Sequence, residues 1–147
     1  MSFYAALMPS QPSALIKGER SSRTQIEVVW AVQPDNDIAV SGYVLEADLD
    51  HCGKFVEIWN GRNHPEITRY LLTQVVTGLS YDFRYKTLNQ NGESEYSEIL
   101  TVWACELPTK PTSPTWVTSS ETSIIIEWES PLDDGGCSVR EYRVYRD

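Results

Sequence analysis

The sequence predicts an all-β protein, an antiparallel β-sandwich of about seven short strands, set in a tandem array. Three observations lead there. Apolar and aromatic residues alternate with polar ones over short runs, the period-2 pattern of half-buried strands. Clusters of Asp, Asn, Gly and Pro punctuate these runs at regular intervals, and nothing longer than a turn reads as helix. The chain also repeats itself at a spacing close to one sandwich domain.

The strands follow in order. Pro9 and Pro12 punctuate the start, as Pro does on edge strands and linkers. Thr24 to Val32 alternates, with Ile26, Val28 and Trp30 on one face and Gln25 and Glu27 on the other. Pro34-Asp-Asn-Asp37 makes a loop, and Gly42 to Asp48 resumes the alternation through Tyr43, Leu45 and Ala47. After the turn Asp48 to Lys54, Phe55 to Trp59 is a short strand. It ends at Asn60-Gly61, the strongest two-residue hairpin signal because both positions accept positive φ. Arg69 to Val75 carries Tyr70 and Leu72, and Tyr81 to Thr87 places Tyr81, Phe83, Tyr85 and Thr87 on one face. Asn89 to Ser94 is a long turn, and Ser97 to Trp103 is the last strand of the set.

The repeat sets the domain plan. Tyr4-Ala-Ala-Leu-Met-Pro-Ser-Gln-Pro12 aligns with Trp103-Ala-Cys-Glu-Leu-Pro-Thr-Lys-Pro111, 99 positions on. Ser21 to Trp30 aligns with Ser119 to Trp128, and Val40-Ser-Gly-Tyr43 with Val139-Arg-Glu-Tyr142. Three ordered matches at a near-constant offset predict that residues 1–8 close a preceding module. Residues 9–107 then form one complete module, and 108–147 the first three strands of another.

Composition narrows the function classes. A formal net charge of -9 repels phosphate backbones, which argues against nucleic-acid partners and charge-driven attachment to acidic membranes. No run approaches 18 apolar residues, so no membrane insertion is expected of this segment. Met1 to Pro9 lacks the pattern of a signal peptide, and no Asn-x-Ser/Thr acceptor occurs. Cys52, Cys105 and Cys137 are odd in number and show no CxxC or Cys/His spacing. Read as unpaired, they favour a reducing compartment; a cell-surface or extracellular location and an intracellular scaffold both stay open.

These residues resemble the fibronectin type III family, whose domains are immunoglobulin-like sandwiches of seven antiparallel strands. The family's pattern runs from Trp on the second strand and Tyr on the third to a Leu-x-Pro-Gly-x-x-Tyr corner, then Tyr-x-Phe-Arg-Val-x-Ala-x-Asn-x-x-Gly. Trp30 and Tyr43 match the first two. The corner reads Val75-Val-Thr-Gly-Leu-Ser-Tyr81, with Gly78 and Tyr81 in place and Leu and Pro replaced. Tyr81-Asp-Phe-Arg-Tyr-Lys-Thr-Leu-Asn-Gln-Asn-Gly92 matches at Tyr81, Phe83, Arg84, Asn89 and Gly92. Ile124 to Gly136 and Tyr142 to Asp147 are similar to the family's front half. The resemblance implies a structural core of Trp30, Tyr43, Tyr81, Phe83, Trp128 and Tyr142, with the Tyr81 hydroxyl bonding backbone upstream as a tyrosine corner. Gly135 and Gly136 would allow a tight turn.

No catalytic, cofactor or metal residue is expected. His51 and His64 read as solvated loop residues, without a Gly-x-Ser-x-Gly or His-x-x-x-His setting. Asp35, Asp37, Asp48, Asp50, Asp133 and Asp134 fall in three separate loops without calcium-loop order, so turn chemistry is their reading. Asn60-Gly-Arg62 is a conceivable adhesion sequence, explained as a hairpin turn. Ser94-Glu-Tyr-Ser97 sits where cytokine receptors carry Trp-Ser-x-Trp-Ser, but without the Trp residues. Interaction loops, if used, are Gln33, Asp35 and Asp37, then Asn60, Gly61 and Arg62, then Asn89, Asn91 and Glu93.

The function implied is a non-catalytic spacer or protein-interaction module of a larger multidomain protein, adhesive or scaffolding. The alternative is an accessory module of an enzyme or receptor (phosphatase receptor, glycosidase or cytokine-receptor-like) whose chemistry lies outside this chain. The Pro108/Pro111 linker argues for controlled spacing. Residues 108–147 cannot close a two-sheet core alone and should expose Ile124, Ile126 and Trp128. An ordered tail is therefore expected to borrow surface, either from its own complete module or by self-association with a neighbouring chain, with Met1 to Met8 as a ready edge.

Overall fold

The computed structural model describes residues 7–35 and 38–147. The segment expected to be the remnant strand therefore lies outside the described residues except for Leu7 and Met8, and so does Asp37.

The strands over Gln25–Val29, Gly42–Asp48, Val56–Asn60, Arg69–Thr73 and Ser80–Asn89 form where the alternation places them, whereas Ile16–Lys17 and Gly92–Glu93 are short strands that it does not mark. Strands β1 (Ile16–Lys17), β2 (Gln25–Val29) and β5 (Arg69–Thr73) make one antiparallel sheet in the order β1-β2-β5. The facing sheet runs β4 (Val56–Asn60), β3 (Gly42–Asp48), β6 (Ser80–Asn89), then β7 (Gly92–Glu93), with β8 (Leu100–Trp103) also paired to β6. Long β6 is the spine, pairing with β3 from Gly42↔Leu88 to Asp48↔Asp82. Among the described residues every assigned element is a strand.

Register aims the aromatic residues inward. Ile26 and Val28 of β2, Tyr43, Leu45 and Ala47 of β3, and Tyr81, Phe83 and Tyr85 of β6 are buried together with Trp30 and Val102. The Trp30 ring lies 5.7 Å from Tyr43, 5.6 Å from Trp59 and 5.6 Å from Tyr85, so it joins the two layers. The tyrosine corner forms: the Val76 N–H donates to the Tyr81 hydroxyl at 2.8 Å. Tyr81→Phe should therefore orphan that amide and cost about 1–2 kcal/mol, read as a fall in denaturant midpoint at unchanged slope. An unchanged midpoint would remove the corner from the account.

Three sequence expectations need correction. Asn60-Gly61 is not a hairpin turn. Neither residue has positive φ; the Gly61 N–H pairs with the Tyr43 carbonyl, and the chain turns later, through Asn63 at φ 66°. Gly61 is required for a different reason, since a Cβ there would overlap the Trp59 ring. The next strand, β5, belongs to the other sheet, so the chain crosses over instead of folding back. The last strand starts at Leu100, not Ser97. Ser94 and Ser97 are buried upstream of it, where their hydroxyls accept the Thr87 and Tyr85 amides.

The third correction concerns residues 108–147. Strands β9 (Thr115–Ser119) and β10 (Ile124–Glu127) pair only with each other. Trp128 and Tyr142 do meet edge to face at 5.6 Å. They are not a buried core, however: Tyr142 is 40% exposed and Trp128 is half-buried, because no second sheet covers them.

Candidate functional site

The predicted interaction loops are mostly occupied by the protein itself. Gln33 turns inward, donating through Nε2 to the Ala31 carbonyl at 2.8 Å and the Tyr85 hydroxyl at 3.2 Å. Asp35 caps its own loop by accepting the Val40 N–H at 2.8 Å. Buried Asn89 donates to the Leu7 carbonyl at 3.0 Å, and Asn91 reaches the same oxygen at 3.3 Å. Gly61 is buried, Asn60 accepts the Arg62 N–H, and Glu93 pairs with Lys86 and, at 3.9 Å, with Arg62. The turn from Asn89 to Gly92 thus receives the chain arriving from the N-terminus.

The acidic loops behave likewise. Asp48 accepts the N–H groups of Cys52 and Gly53, and Asp134 accepts that of Gly136 at 2.8 Å. Burial works against the Asp48 charge, yet the amides of Gly53, Cys52 and Asp50 outweigh it and hold the carboxyl below its usual range. His51 packs edge-on against Tyr81 at 4.9 Å, and His64 lies beside Glu66 at 3.0 Å. Among the described residues no three His, Cys, Asp or Glu side chains are grouped as a metal ion would require. On the outer face of the larger sheet, Arg84 donates through Nε and Nη2 to Glu46 Oε2, and the Tyr96 hydroxyl donates to Glu46 Oε1. The guanidinium is stacked between Phe55 (4.1 Å) and Tyr96 (3.9 Å), a set that satisfies itself.

A further set of specific contacts joins the sandwich to residues 108–147. The Glu106 N–H donates to the Gly135 carbonyl and the Thr109 N–H to the Asp133 carbonyl, each at 2.9 Å, so the linker is zipped to the Asp133–Cys137 loop. Gly135 (φ 77°) and Gly136 (φ 88°) shape that loop. A Cβ on Gly135 would overlap the Glu106 carbonyl, and one on Gly136 the Thr77 side chain. Arg23 sits across the seam. Its guanidinium reaches Glu106 Oε2 at 2.9 Å and Asp133 Oδ2 at 2.9 Å. Arg140 adds a stacking contact, 5.8 Å from the Trp103 ring.

Charge is mutually tuned at this seam. Arg23, through its hydrogen bond first, and then the Gly135 N–H hold Asp133 below the usual Asp range. Asp133 and then Glu106 raise Arg23 above its ordinary value. Each pair is half-exposed and weak alone; their use is to fix geometry through one planar fork shared by two carboxylates.

Cysteine pairing is a further correction. Cys105 and Cys137 are joined as a disulfide across the same seam, Cα atoms 5.8 Å apart, and Cys52 is free and exposed. An odd count hid one pair. Connectivity does not follow from spacing, and the joint was missed with it. The available signal was the repeat itself: Cys105 and Cys137 stand where the first repeat has Ala6 and Ile38.

No family model matches the chain. It is 28% identical over 142 residues to human myomesin-2, covering 92% of this chain and 9% of that protein. It is 32% identical over 139 residues to fibronectin type III domain-containing protein 1 of Margaritifera margaritifera, covering 94% and 18%. The chain thus spans less than a fifth of either relative. Among solved structures, the sixth fibronectin type III domain of human fibronectin type III domain containing protein 3 superposes with a TM-score of 0.58 at 21% identity, covering 75% of this chain and 97% of that one. With its sandwich of three-stranded and five-stranded sheets, tyrosine corner and these likenesses, the chain carries a fibronectin type III domain.

Proposed function

We propose that this chain is a non-catalytic spacer segment of a tandem fibronectin type III array, built to hold consecutive modules in a set relation. The reading takes residues 9–107 as the complete module and 108–147 as the opening strands of the next. The observation that carries it is the seam, where Arg23, the Glu106–Pro111 linker and the Asp133–Cys137 loop interlock. A module that only displayed loops would leave them unengaged. Here the Asp133–Cys137 loop, which the repeat aligns with Pro34–Ile38, contacts the neighbouring module instead. Likeness to myomesin-2 favours a scaffold over an enzyme's accessory module.

The test is electrostatic. Asp133 is depressed, so its contribution is fully present above the ordinary Asp value of about 3.9 and is lost as pH falls through the lower folded value. Arg23 stays charged throughout that window. Carbon-13 titration of the Asp133 carboxyl should give a midpoint below about 3.9, moving up toward it in Arg23→Ala, where the Gly135 N–H still holds the carboxyl. The Thr109 amide should also exchange roughly fivefold faster or more in that variant, with the sandwich midpoint unchanged. Identical titrations in both proteins would reject the spacer reading.

The second segment should also self-associate. Trp116 (67% exposed), Ile124 (72%) and Ile125 (52%) share an uncovered hairpin, and an isolated two-stranded hairpin is marginal in water. Light scattering during gel filtration should show mass rising with concentration. A strict monomer with a protease-sensitive tail would count against this.

A further inference from the structure

We propose that the Cys105–Cys137 bond makes this joint a redox-controlled hinge: locked when oxidised, free to swing about the Glu106–Pro111 linker when a dithiol reduces it. The inference rests on the joint described above and adds the control. Three observations support it. The bond closes a segment of sequence separation 32, with one sulfur just after β8 and the other at the end of the docking loop. It therefore ties the sandwich directly to the segment that would swing. Both cysteines are half-buried rather than sealed in the core, so a small thiolate can reach them. Finally, the contacts left after reduction are two backbone hydrogen bonds, a reciprocal pair between the exposed Thr109 hydroxyl and the Asp133 backbone, half-exposed ion pairs at Arg23 and one ring stack. Such contacts open easily, because exposed pairs contribute little each. A disulfide acts mainly by removing open-chain freedom, so it dominates at a seam otherwise held by such exposed polar contacts.

The chemistry balances. A dithiol's thiolate attacks one sulfur of the bond, forming a mixed disulfide and releasing the other cysteine as a thiolate, which takes a proton. The reductant's second thiol then closes on the mixed disulfide, leaving both cysteines as thiols and the reductant as a cyclic disulfide. Two electrons and two protons pass to the protein. The corresponding positions of the first repeat, Ala6 and Ile38, hold no thiol. Control of this kind is confined to the joint that follows residue 104.

The test uses the full chain carrying Cys52→Ser, which prevents disulfide exchange with the exposed third thiol. Protein oxidised with glutathione disulfide and protein reduced with dithiothreitol are compared by maleimide mass tagging and by amide hydrogen exchange at Glu106 and Thr109. Oxidised protein should take no tag after denaturation. Reduction should speed exchange at both amides roughly a hundredfold, with Leu45 and Tyr85 unchanged. Cys105→Ser under oxidising conditions should match the reduced state. Two tags on oxidised protein, or protected amides in both states, would overturn the redox control and leave the joint standing. Fast exchange in both states would overturn joint and control together.

Discussion

Trp30→Ala should lower the unfolding free energy of the sandwich by about 3–5 kcal/mol, the range for removing a large buried aromatic. The residue is 3% exposed, follows β2 of the smaller sheet, and touches Tyr43, Trp59 and Tyr85 of the larger one. Those partners sit on three strands, β3, β4 and β6, so no single side chain can move in to fill the void. Urea unfolding monitored by near-ultraviolet dichroism measures the loss. Trp116→Ala is the matched control, because that ring is 67% exposed on the β9–β10 hairpin; it should change the unfolding free energy by no more than about 0.5 kcal/mol. Equal losses in the two variants would mean that Trp30 does not join the layers.

Gly135→Ala should open the joint while leaving the sandwich intact. Two costs add. A residue with a Cβ in the left-handed region loses about 1–2 kcal/mol, and Gly135 has φ 77°. The added methyl would also overlap the Glu106 carbonyl, which cannot retreat because the same residue's N–H is bonded to the Gly135 carbonyl. Gly53→Ala separates the two costs, since Gly53 has φ 79° but nothing near its missing Cβ. In oxidised protein, limited proteolysis within 106–111 should accelerate for Gly135→Ala alone, at an unchanged core midpoint. Matching cleavage rates for both glycine variants would show that the seam is not closely apposed.

The sandwich was legible because its determinants are local and periodic. Ile26, Val28 and Trp30 alternate over one short run, β3 spans the Gly42 to Asp48 run, and Tyr81 sits at a fixed step from Gly78. Asn60-Gly61 misled because local turn propensity yielded to topology: the chain had to reach the other sheet, and Trp59 needed the space over Gly61. Trp128 and Tyr142 matched Trp30 and Tyr43 in spacing, yet burial depends on a covering layer that spacing does not report. The joint was the least legible part. Arg23, Glu106 and Asp133 are polar residues in three separate stretches outside the strands, without periodicity, and only the folded chain brings them together. Gly135-Gly136 announced a turn, not the carbonyl it would press against.

The measurement that bears most directly on the joint is nitrogen-15 relaxation of the oxidised full chain, comparing the amides of Asp133 to Cys137 with those of β3 and β6. A fixed joint predicts one shared rotational correlation time for the loop and the two strands. A distinctly shorter time for the loop, with β3 and β6 unchanged, would contradict it: Arg23 and the linker would then hold nothing, and the spacer reading would have no physical basis.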